Sequence, residues 1–184
     1  MEPSYDPQSF QILYDRQTVA RRVSELGAAI SADVAPLLAP REMLLVVGIL
    51  NGAFVFMADL IRTITVPLEI DFIRLSSYHD NQTSSTEVVQ LKGLEQEIKN
   101  RHVLVVEDIA DCGLTLAWLL DHLQQRQPAS IRLAVAVDKK ARREVSLNLD
   151  YVGFKVEDGF LVGFGLDFGR RYREKSDICV LKNT

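Results

Sequence analysis

Cysteine and histidine are scarce in this chain of 184 residues, which has two of the former and three of the latter. Cys112 and Cys179 lie far apart and form no CxxC or Cys/His spacing, which argues against a metal site of that type and against a disulfide framework. We expect structural or surface roles for the histidines, because they fall in a loop, before a strand and on a helix. Free thiols in a reducing compartment are the natural interpretation.

An excess of basic charge and an export signal are also missing. The formal net charge is −4 and the pI is near 5.4, so we expect no general attraction to nucleic acid or to anionic membranes. The N-terminal segment has no basic stretch followed by an apolar core, which favours an intracellular, cytoplasmic protein. No internal repeat, low-complexity tract or linker divides the sequence, and we interpret residues 1–184 as a single domain.

One long apolar run, residues 44–61, has almost the length of a membrane-spanning helix. Asn51, Gly52 and Asp59 interrupt it. Its first part is short and rich in β-branched residues, whereas apolar residues recur at helical spacing after Gly52. The run therefore predicts a buried strand, a turn at Asn51-Gly52 and a packed helix.

Strand and helix patterns alternate along the rest of the chain. We predict helices over residues 18–38, with Thr18 as the N-cap, and over residues 114–127. Strands are predicted at residues 67–78, 103–109 and 130–137. The polar residues 79–87 predict either a mobile lid or an exposed hairpin loop. This order is typical of an α/β fold with a mainly parallel, twisted sheet flanked by helices.

The stretch VLVVEDIADCGLT, residues 103–115, ends a buried strand with the carboxylates of Glu107, Asp108 and Asp111. Parallel sheets bind ligands outside the carboxyl ends of their strands, and a glycine turn leading into a helix N-terminus favours an anion such as phosphate. Ribose hydroxyls or a Mg²⁺ ion would offset the negative charge of the first two acids. The other interpretation is an ordinary turn whose acids are solvated or cap the helix.

The same stretch resembles the signature of type I phosphoribosyltransferases, which binds 5-phosphoribosyl 1-diphosphate (PRPP). Four further segments resemble the hypoxanthine-guanine branch of that family. Residues 48–62 resemble its pyrophosphate loop, and residues 76–89 resemble its mobile catalytic loop. Residues 137–143 resemble the segment with its base-reading lysine, and residues 151–181 resemble its purine hood. The resemblance extends from about residue 10 to the end. It implies the type I phosphoribosyltransferase fold, with a small hood of C-terminal and N-terminal segments, and transfer of phosphoribose from PRPP to a 6-oxopurine.

The resemblance also implies a role for each matching residue. Asp111 would be the general acid or base at purine N7, and Glu107 and Asp108 would face the ribose hydroxyls. Mg²⁺ would be held by Glu107, Asp108 and Asp167. The 5′-phosphate would be bound by Cys112, Gly113, Leu114 and Thr115, and pyrophosphate by Leu50, Asn51, Gly52 and Arg173. The purine would be contacted by Lys139, Phe160, Leu161 and Asp167. The lid would contain Ser77 and Tyr78.

The chemistry of Lys139 supports a 6-oxopurine. A lysine ammonium only donates hydrogen bonds, so it suits the O6 and N7 acceptors of hypoxanthine or guanine and opposes the 6-amino group of adenine. Standing alone, the run KKARR would be interpreted as a solvated basic patch, and Phe160 as a core residue. A xanthine-preferring transferase stays open, as does a PRPP-sensing, RNA-binding regulator, which the net acidic charge disfavours. We expect no nucleic-acid partner and a homodimer or homotetramer.

Two residues depart from the family pattern. Asn51 stands where a lysine often follows the leucine of the pyrophosphate loop, so we expect altered affinity for pyrophosphate or PRPP. That leucine–lysine peptide is often cis in the family, which raises the same question for Leu50–Asn51. Cys112 replaces a threonine or serine, which removes a hydroxyl donor, keeps the backbone amide and adds a thiol that can be oxidised or alkylated.

Overall fold

The computed structural model describes residues 10–79 and 86–182, apart from the side chains of residues 77–79 and 86–89. Its helices are α1 (Arg16–Val34), α2 (Phe54–Ile61) and α3 (Leu114–Gln124), and a short 3₁₀ helix at Ala35–Leu37 follows α1. Its strands are β1 (Phe10–Tyr14), β2 (Leu44–Leu50), β3 (Leu68–His79), β4 (Thr86–Lys92), β5 (His102–Ala110), β6 (Ser130–Lys139), β7 (Tyr151–Val156), β8 (Leu161–Val162) and β9 (Ile178–Leu181).

The strands form a large sheet and a small one. The large sheet has the order β4-β3-β2-β5-β6-β7, and its neighbouring strands are parallel except for the antiparallel pair β3–β4. The small sheet, which we call the hood, has the antiparallel order β1-β9-β8 and joins segments from the beginning and the end of the described chain. The predicted α/β class, the mainly parallel sheet and the hood are confirmed.

Helices cover both faces of the large sheet, which explains why its central strands are apolar on both sides. In β2, Leu44 and Val46 pack in the cluster that includes α1 and α2, whereas Leu45 and Val47 pack in the cluster that includes α3. All four side chains are at most 1% exposed. Burying each such side chain contributes about 1.5 to 3 kcal/mol. This alternation fixes β2 as the centre of a three-layer sandwich.

The apolar run at residues 44–61 folds as its composition predicts. It forms β2, a turn at residues 51–53 and α2. The described parts of the chain include no helix with the length and apolar character that crossing a membrane requires. Of the predicted lid, residues 79–87, only the backbone of residues 79, 86 and 87 belongs to the described part of the chain.

The prediction that Thr18 caps the first helix is wrong. Helix α1 begins at Arg16, and Asp15 is its N-cap, because the backbone N–H of Thr18 donates to Asp15 Oδ1 at 2.8 Å. An aspartate carboxylate is among the preferred acceptors for the free amides of a first turn. The predicted ends were also too late, since α1 gives way to a 3₁₀ helix containing Pro36 and α3 ends at Gln124.

The helices that follow β2 and β5 pass to opposite faces of the large sheet. Helix α2 packs on the same side as α1, and α3 packs on the other side. Because β2 and β5 are hydrogen-bonded neighbours, a crevice opens between their carboxyl ends. Such a crossing point is where open parallel sheets bind ligands. The ends of β2, β5 and β6 place Leu50, Glu107 and Lys139 at this edge.

Candidate active site

Two adjoining clefts open at this edge of the large sheet. The larger has a volume of about 290 Å³ and is lined by the ends of β2 and β5 and by the loop before α3. The smaller, of about 180 Å³, is lined by Lys139 and by residues 159–161 beside the hood. Asp108, Ile109, Asp111 and Asp167 line both clefts. The clefts are therefore two parts of one site that share a largely acidic wall.

Glu107 and Asp108 form a half-buried carboxylate pair at the larger cleft. The pKa of Glu107 is raised well above its ordinary value, first by burial and then by the charge of Asp108. Burial also raises the pKa of Asp108, although hydrogen bonds and the positive charge of Arg173 act in the opposite direction. The pair therefore resists full ionisation until a cation or hydroxyl donors approach it.

The turn after β2 lies directly against this pair. A Cβ atom at position 52 would overlap the carboxylate of Asp108, so only glycine allows this close approach. The peptide bond between Leu50 and Asn51, whose isomer the resemblance left open, is cis. Asn51 itself is exposed. Leu50 and Gly52 line the larger cleft, whereas Asn51 does not.

The loop of residues 111–115, which we call the phosphate loop, leads from β5 into α3. Gly113 has a φ of +89°, a conformation that favours glycine, and it occupies the N-cap position of α3. None of the side chains that the structure describes caps this helix. The first-turn amides and the positive end of the helix dipole consequently face a cleft lined by Cys112, Gly113 and Thr115. The arrangement suits an anionic ligand.

Asp111 stands between the two clefts. Within the described ranges, its Oδ1 atom is the one buried side-chain polar atom that has no hydrogen-bond partner. Its Oδ2 atom lies 3.7 Å from Nη1 of Arg142, whose side chain is largely exposed. A buried acceptor without a partner is costly, and native proteins retain one mainly where a ligand completes it. Asp111 therefore lines both clefts and has one buried carboxylate oxygen without a partner in the described part of the chain.

The smaller cleft combines a buried cation with an exposed aromatic ring. Lys139 ends β6 and is only 7% exposed, and its Nζ atom lies 3.9 Å from Oδ1 of Asp158. Phe160 is 47% exposed, and its ring meets that of Phe168 edge to face at 5.1 Å. Leu161 begins β8 and is buried. A flat, polar heterocycle would find here a donor, an aromatic face and strand backbone.

Asp167 and Arg173 are paired with each other. Nη2 of Arg173 lies 2.6 Å from Oδ1 of Asp167, and the backbone N–H of Arg170 donates to Oδ2 at 2.8 Å. Arg173 also donates to the carbonyl oxygen of Gly165. Both oxygens of Asp167 thus already have protein partners. A ligand or metal at Asp167 would have to exchange with them.

A metal cage made only of side chains is absent from residues 10–79 and 86–182, which hold no group of three or more suitable His, Cys, Asp or Glu side chains. Mg²⁺ does not need one, because it keeps several waters and binds through one or two carboxylates together with substrate phosphates. Glu107 and Asp108 offer such oxygens, and a cation would offset the burial and the charge of Asp108 that raise the pKa of Glu107. The acidic pair therefore fits a Mg²⁺ ion that is shared with a bound ligand.

Most of the predicted site residues line the two clefts at this edge. Among those whose side chains the structure describes, Asn51 and Leu114 line neither cleft. Ser77 and Tyr78 lie in β3, but their side chains are outside the described part. Sequence reasoning missed Asp158 and Arg142, which approach Lys139 and Asp111. The run KKARR directly after an apolar strand was the available signal for Arg142, whereas no local pattern marked Asp158.

Comparisons with known sequences agree with this geometry. Residues 9–169 match the family described as the phosphoribosyl transferase domain. The chain is 42% identical to the hypoxanthine phosphoribosyltransferase of Haemophilus influenzae over 162 residues, which covers 88% of this chain and 89% of that one. It is 39% identical to the hypoxanthine-guanine phosphoribosyltransferase of Bacillus subtilis over 172 residues, with 94% and 93% covered.

Solved structures show the same relationship in three dimensions. The hypoxanthine phosphoribosyltransferase of Trypanosoma cruzi superposes with a TM-score of 0.90 at 36% identity, covering 98% of this chain and 95% of that one. A hypoxanthine-guanine phosphoribosyltransferase from Bacillus anthracis gives a TM-score of 0.83 at 38% identity, with 92% and 96% covered. Sequence, fold and cleft agree, and the chain belongs to the phosphoribosyltransferase family, in its hypoxanthine and hypoxanthine-guanine branch.

Proposed function

We propose that this protein is a purine salvage enzyme that transfers the phosphoribosyl group of PRPP to hypoxanthine or guanine. The bond between C1′ and the pyrophosphate oxygen breaks, and a bond forms between C1′ and purine N9. Pyrophosphate leaves, and the proton that the purine gives up passes to Asp111. The products are IMP or GMP and pyrophosphate.

The unpaired Oδ1 atom of Asp111 carries this proposal. It belongs to a residue that lines both a cleft suited to an anion and a cleft that holds a buried lysine and an exposed ring. A proton acceptor at this point can reach a base in the smaller cleft while the sugar phosphate occupies the larger one. The names of the relatives support the same substrates.

Bound Mg²⁺ would neutralise charge on the departing pyrophosphate, and Glu107 and Asp108 would hold it together with ligand oxygens. Glu107 and Asp108 also accept hydrogen bonds from ribose hydroxyls in this proposal. The phosphate loop holds the 5′-phosphate through Cys112, Gly113, Leu114 and Thr115. Pyrophosphate is contacted by Leu50, Asn51, Gly52 and Arg173.

On the base side, Lys139 donates to O6 and N7, and Phe160 stacks on the ring. The edge of the purine is contacted by Leu161 and Asp167. Ser77 and Tyr78 belong to the lid.

Further proposals concern organisation and location. We propose a single domain that acts as a homodimer or homotetramer, and exposed apolar side chains such as Phe54 and Ile70 support self-association. We also propose the cytoplasm, because Cys112 and Cys179 are free thiols and a reducing compartment would keep them so.

The function is tested by turnover of hypoxanthine, guanine and xanthine with PRPP and Mg²⁺. We expect nucleotide formation from the first two bases and slower reaction with xanthine, whose 2-oxo group accepts where the guanine 2-amino group donates. Fastest turnover of xanthine would favour the xanthine-preferring alternative. Binding of PRPP without nucleotide formation would contradict the enzyme proposal and favour a PRPP-sensing regulator.

Replacing Asp111 with asparagine keeps the size of the side chain but removes its capacity to take a proton. Turnover of Asp111→Asn should fall by about 10² to 10⁴, the usual contribution of general acid-base catalysis, while PRPP affinity changes little. Single-turnover kinetics beside direct PRPP binding measures both effects. Asp121→Asn, at an exposed position on α3, is the matched control and should retain wild-type turnover. A wild-type rate for Asp111→Asn would remove Asp111 from the mechanism.

Lys139→Met tests recognition of the purine. Methionine keeps an unbranched apolar stem of similar length in the buried position but cannot donate to O6 or N7. Hypoxanthine and guanine should lose about 1 to 3 kcal/mol of transition-state binding, and PRPP affinity should be less affected. The comparison is kcat/KM for each base, with the exposed neighbour Lys140→Met as control. Equal kcat/KM values for the purine bases in Lys139→Met and wild type would contradict the assignment of Lys139 to purine recognition.

Glu107→Gln should raise the stability of the ligand-free protein at neutral pH while weakening binding of PRPP with Mg²⁺. The pKa of Glu107 is raised in the folded chain. At a pH between the pKa of Glu107 in the unfolded chain and its raised pKa in the folded chain, Glu107 is protonated when the chain is folded and ionised when it is unfolded. The free energy of unfolding therefore falls as pH increases through that range. A neutral glutamine removes this loss. Thermal unfolding from about pH 5 to pH 8 should show a flatter profile for the variant.

Glu97→Gln is a control of opposite sign. Backbone hydrogen bonds from Lys99 and Ile98 lower the pKa of Glu97, so its ionised form adds stability that is lost as pH falls. This variant should be less stable than wild type at neutral pH and should leave turnover unchanged. A destabilised Glu107→Gln protein at neutral pH would show that Glu107 serves the fold rather than the ligand.

A further inference from the structure

Arg143 binds the outer side of the phosphate loop, although it lines neither cleft. Its Nε atom donates to the carbonyl oxygen of Asp111 at 2.8 Å, and its Nη2 atom donates to that of Ala110 at 2.8 Å. The next residue, Glu144, donates its backbone N–H to the carbonyl oxygen of Cys112 at 2.9 Å. Three consecutive carbonyl groups at the entrance to the loop therefore face residues 143–144.

This pattern fixes the direction of the loop amides. In a trans peptide the C=O and N–H bonds lie in one plane and point in opposite directions. Because the carbonyls of Ala110, Asp111 and Cys112 face residues 143–144, the N–H groups of the following residues, 111 to 113, point away from them. The larger cleft is lined by Asp111, Cys112 and Gly113. Arg143 thus acts on the backbone that would meet an anion, without meeting the anion itself.

The guanidinium is itself held in place. Nη2 of Arg143 lies 2.6 Å from Oδ1 of Asp138, and the side chain of Asp138 is 4% exposed while that of Arg143 is 16% exposed. A planar guanidinium with donors in a fixed fork can orient two carbonyl groups and a carboxylate at the same time. Loss of Arg143 would leave the buried carboxylate of Asp138 and two part-buried carbonyl groups without this donor.

The contact between the loop and this segment is also apolar and tight. A Cβ atom at position 113 would come within 3.0 Å of Val145 Cγ2 and 3.2 Å of Arg143 Cδ. Residues 143–145 therefore form a brace, the name we use for them, that packs on the side of the phosphate loop away from the cleft. The chain reaches the brace from Lys139 and Arg142, which line the smaller cleft, so residues 139–145 run from that cleft to the back of the larger one.

We propose that Arg143 is a positioning residue that presets the phosphate loop for the 5′-phosphate of PRPP. This inference rests on the proposed function. Through the two carbonyl groups it holds, Arg143 turns the loop amides toward the ligand before binding, so that less ordering is required when the phosphate arrives. Its removal weakens recognition of the phosphate more than it slows the chemical step.

Arg143→Gln tests this positioning role. We expect the KM for PRPP to rise about tenfold or more, with kcat changed much less, because the loop must be ordered at each binding event. The inhibition constant of ribose 5-phosphate, which carries only the 5′-phosphate, should rise in parallel. That of pyrophosphate should stay within about twofold, since residues 50–52 lie outside the brace. Arg143→Lys keeps the charge near Asp138 but not the fork, and it should be intermediate.

Arg22 provides a matched structural control. Its guanidinium also donates to two backbone carbonyl groups, those of Gly153 at 3.0 Å and Val152 at 2.8 Å, and to the carboxylate of Glu25 at 2.8 Å. It lines neither cleft. Arg22→Gln should lower the midpoint temperature of thermal unfolding. It should leave the KM for PRPP and the inhibition constant of ribose 5-phosphate at their wild-type values.

Several outcomes would overturn the inference. One is an unchanged inhibition constant of ribose 5-phosphate in Arg143→Gln. A second is a loss of affinity for pyrophosphate in Arg143→Gln that equals its loss of affinity for ribose 5-phosphate. A third is an equal loss of ribose 5-phosphate affinity in Arg22→Gln. If Arg143→Gln does not fold, Arg143→Lys carries the same comparison. Calorimetric binding of ribose 5-phosphate separates this inference from the proposed function. Failure of the wild-type protein to form nucleotide refutes the function, whereas unaltered binding in the Arg143 variants refutes the positioning role.

Discussion

The repulsion between two neighbouring carboxylates at the end of a buried strand is the constraint around which the site is built. Glu107 and Asp108 lie in β5 just beyond its last pair with β2, and burial opposes the ionisation of both. Nearby groups reduce this cost without removing it. The backbone N–H groups of Asp108 and Ile109 donate to the pair, and Arg173 contributes positive charge. A ligand can supply the positive charge or hydrogen-bond donors that the pair still lacks. A pair that is unfavourable for the fold thus becomes favourable for binding.

The crossing of α2 and α3 to opposite faces supplies the space for that ligand, and close backbone contacts define its walls. Gly52 leaves room for Asp108, Gly113 turns the chain into α3, and the brace holds the loop from behind. Much of this site is therefore backbone, held by side chains that need not touch the substrate. Its geometry depends on packing across the sheet as much as on the residues of the signature itself.

The sequence predicted features whose signals are local. The acidic strand end, the glycine turn before α3 and the strand-turn-helix at residues 44–61 all follow from short patterns, and each was found at the predicted place. The cap of α1 was misassigned because Asp15 and Thr18 are both acceptable capping residues, and the chain's approach to the helix decides between them. The pairing of Asp138 with Arg143 and the free Oδ1 of Asp111 depend on contacts between distant segments. No periodicity or spacing within one segment specifies such contacts.

The position of β2 at the centre of the large sheet has a consequence for synthesis of the chain. Its neighbour β3 follows closely, but its other neighbour, β5, begins only at His102. Until β5 is made, β2 has apolar side chains on both faces and a row of unpaired backbone groups along one edge. Such an edge readily pairs with other chains. A nascent chain that has passed β4 but not yet reached β5 therefore exposes an aggregation-prone edge, and the strand that carries the acidic pair covers that edge of β2.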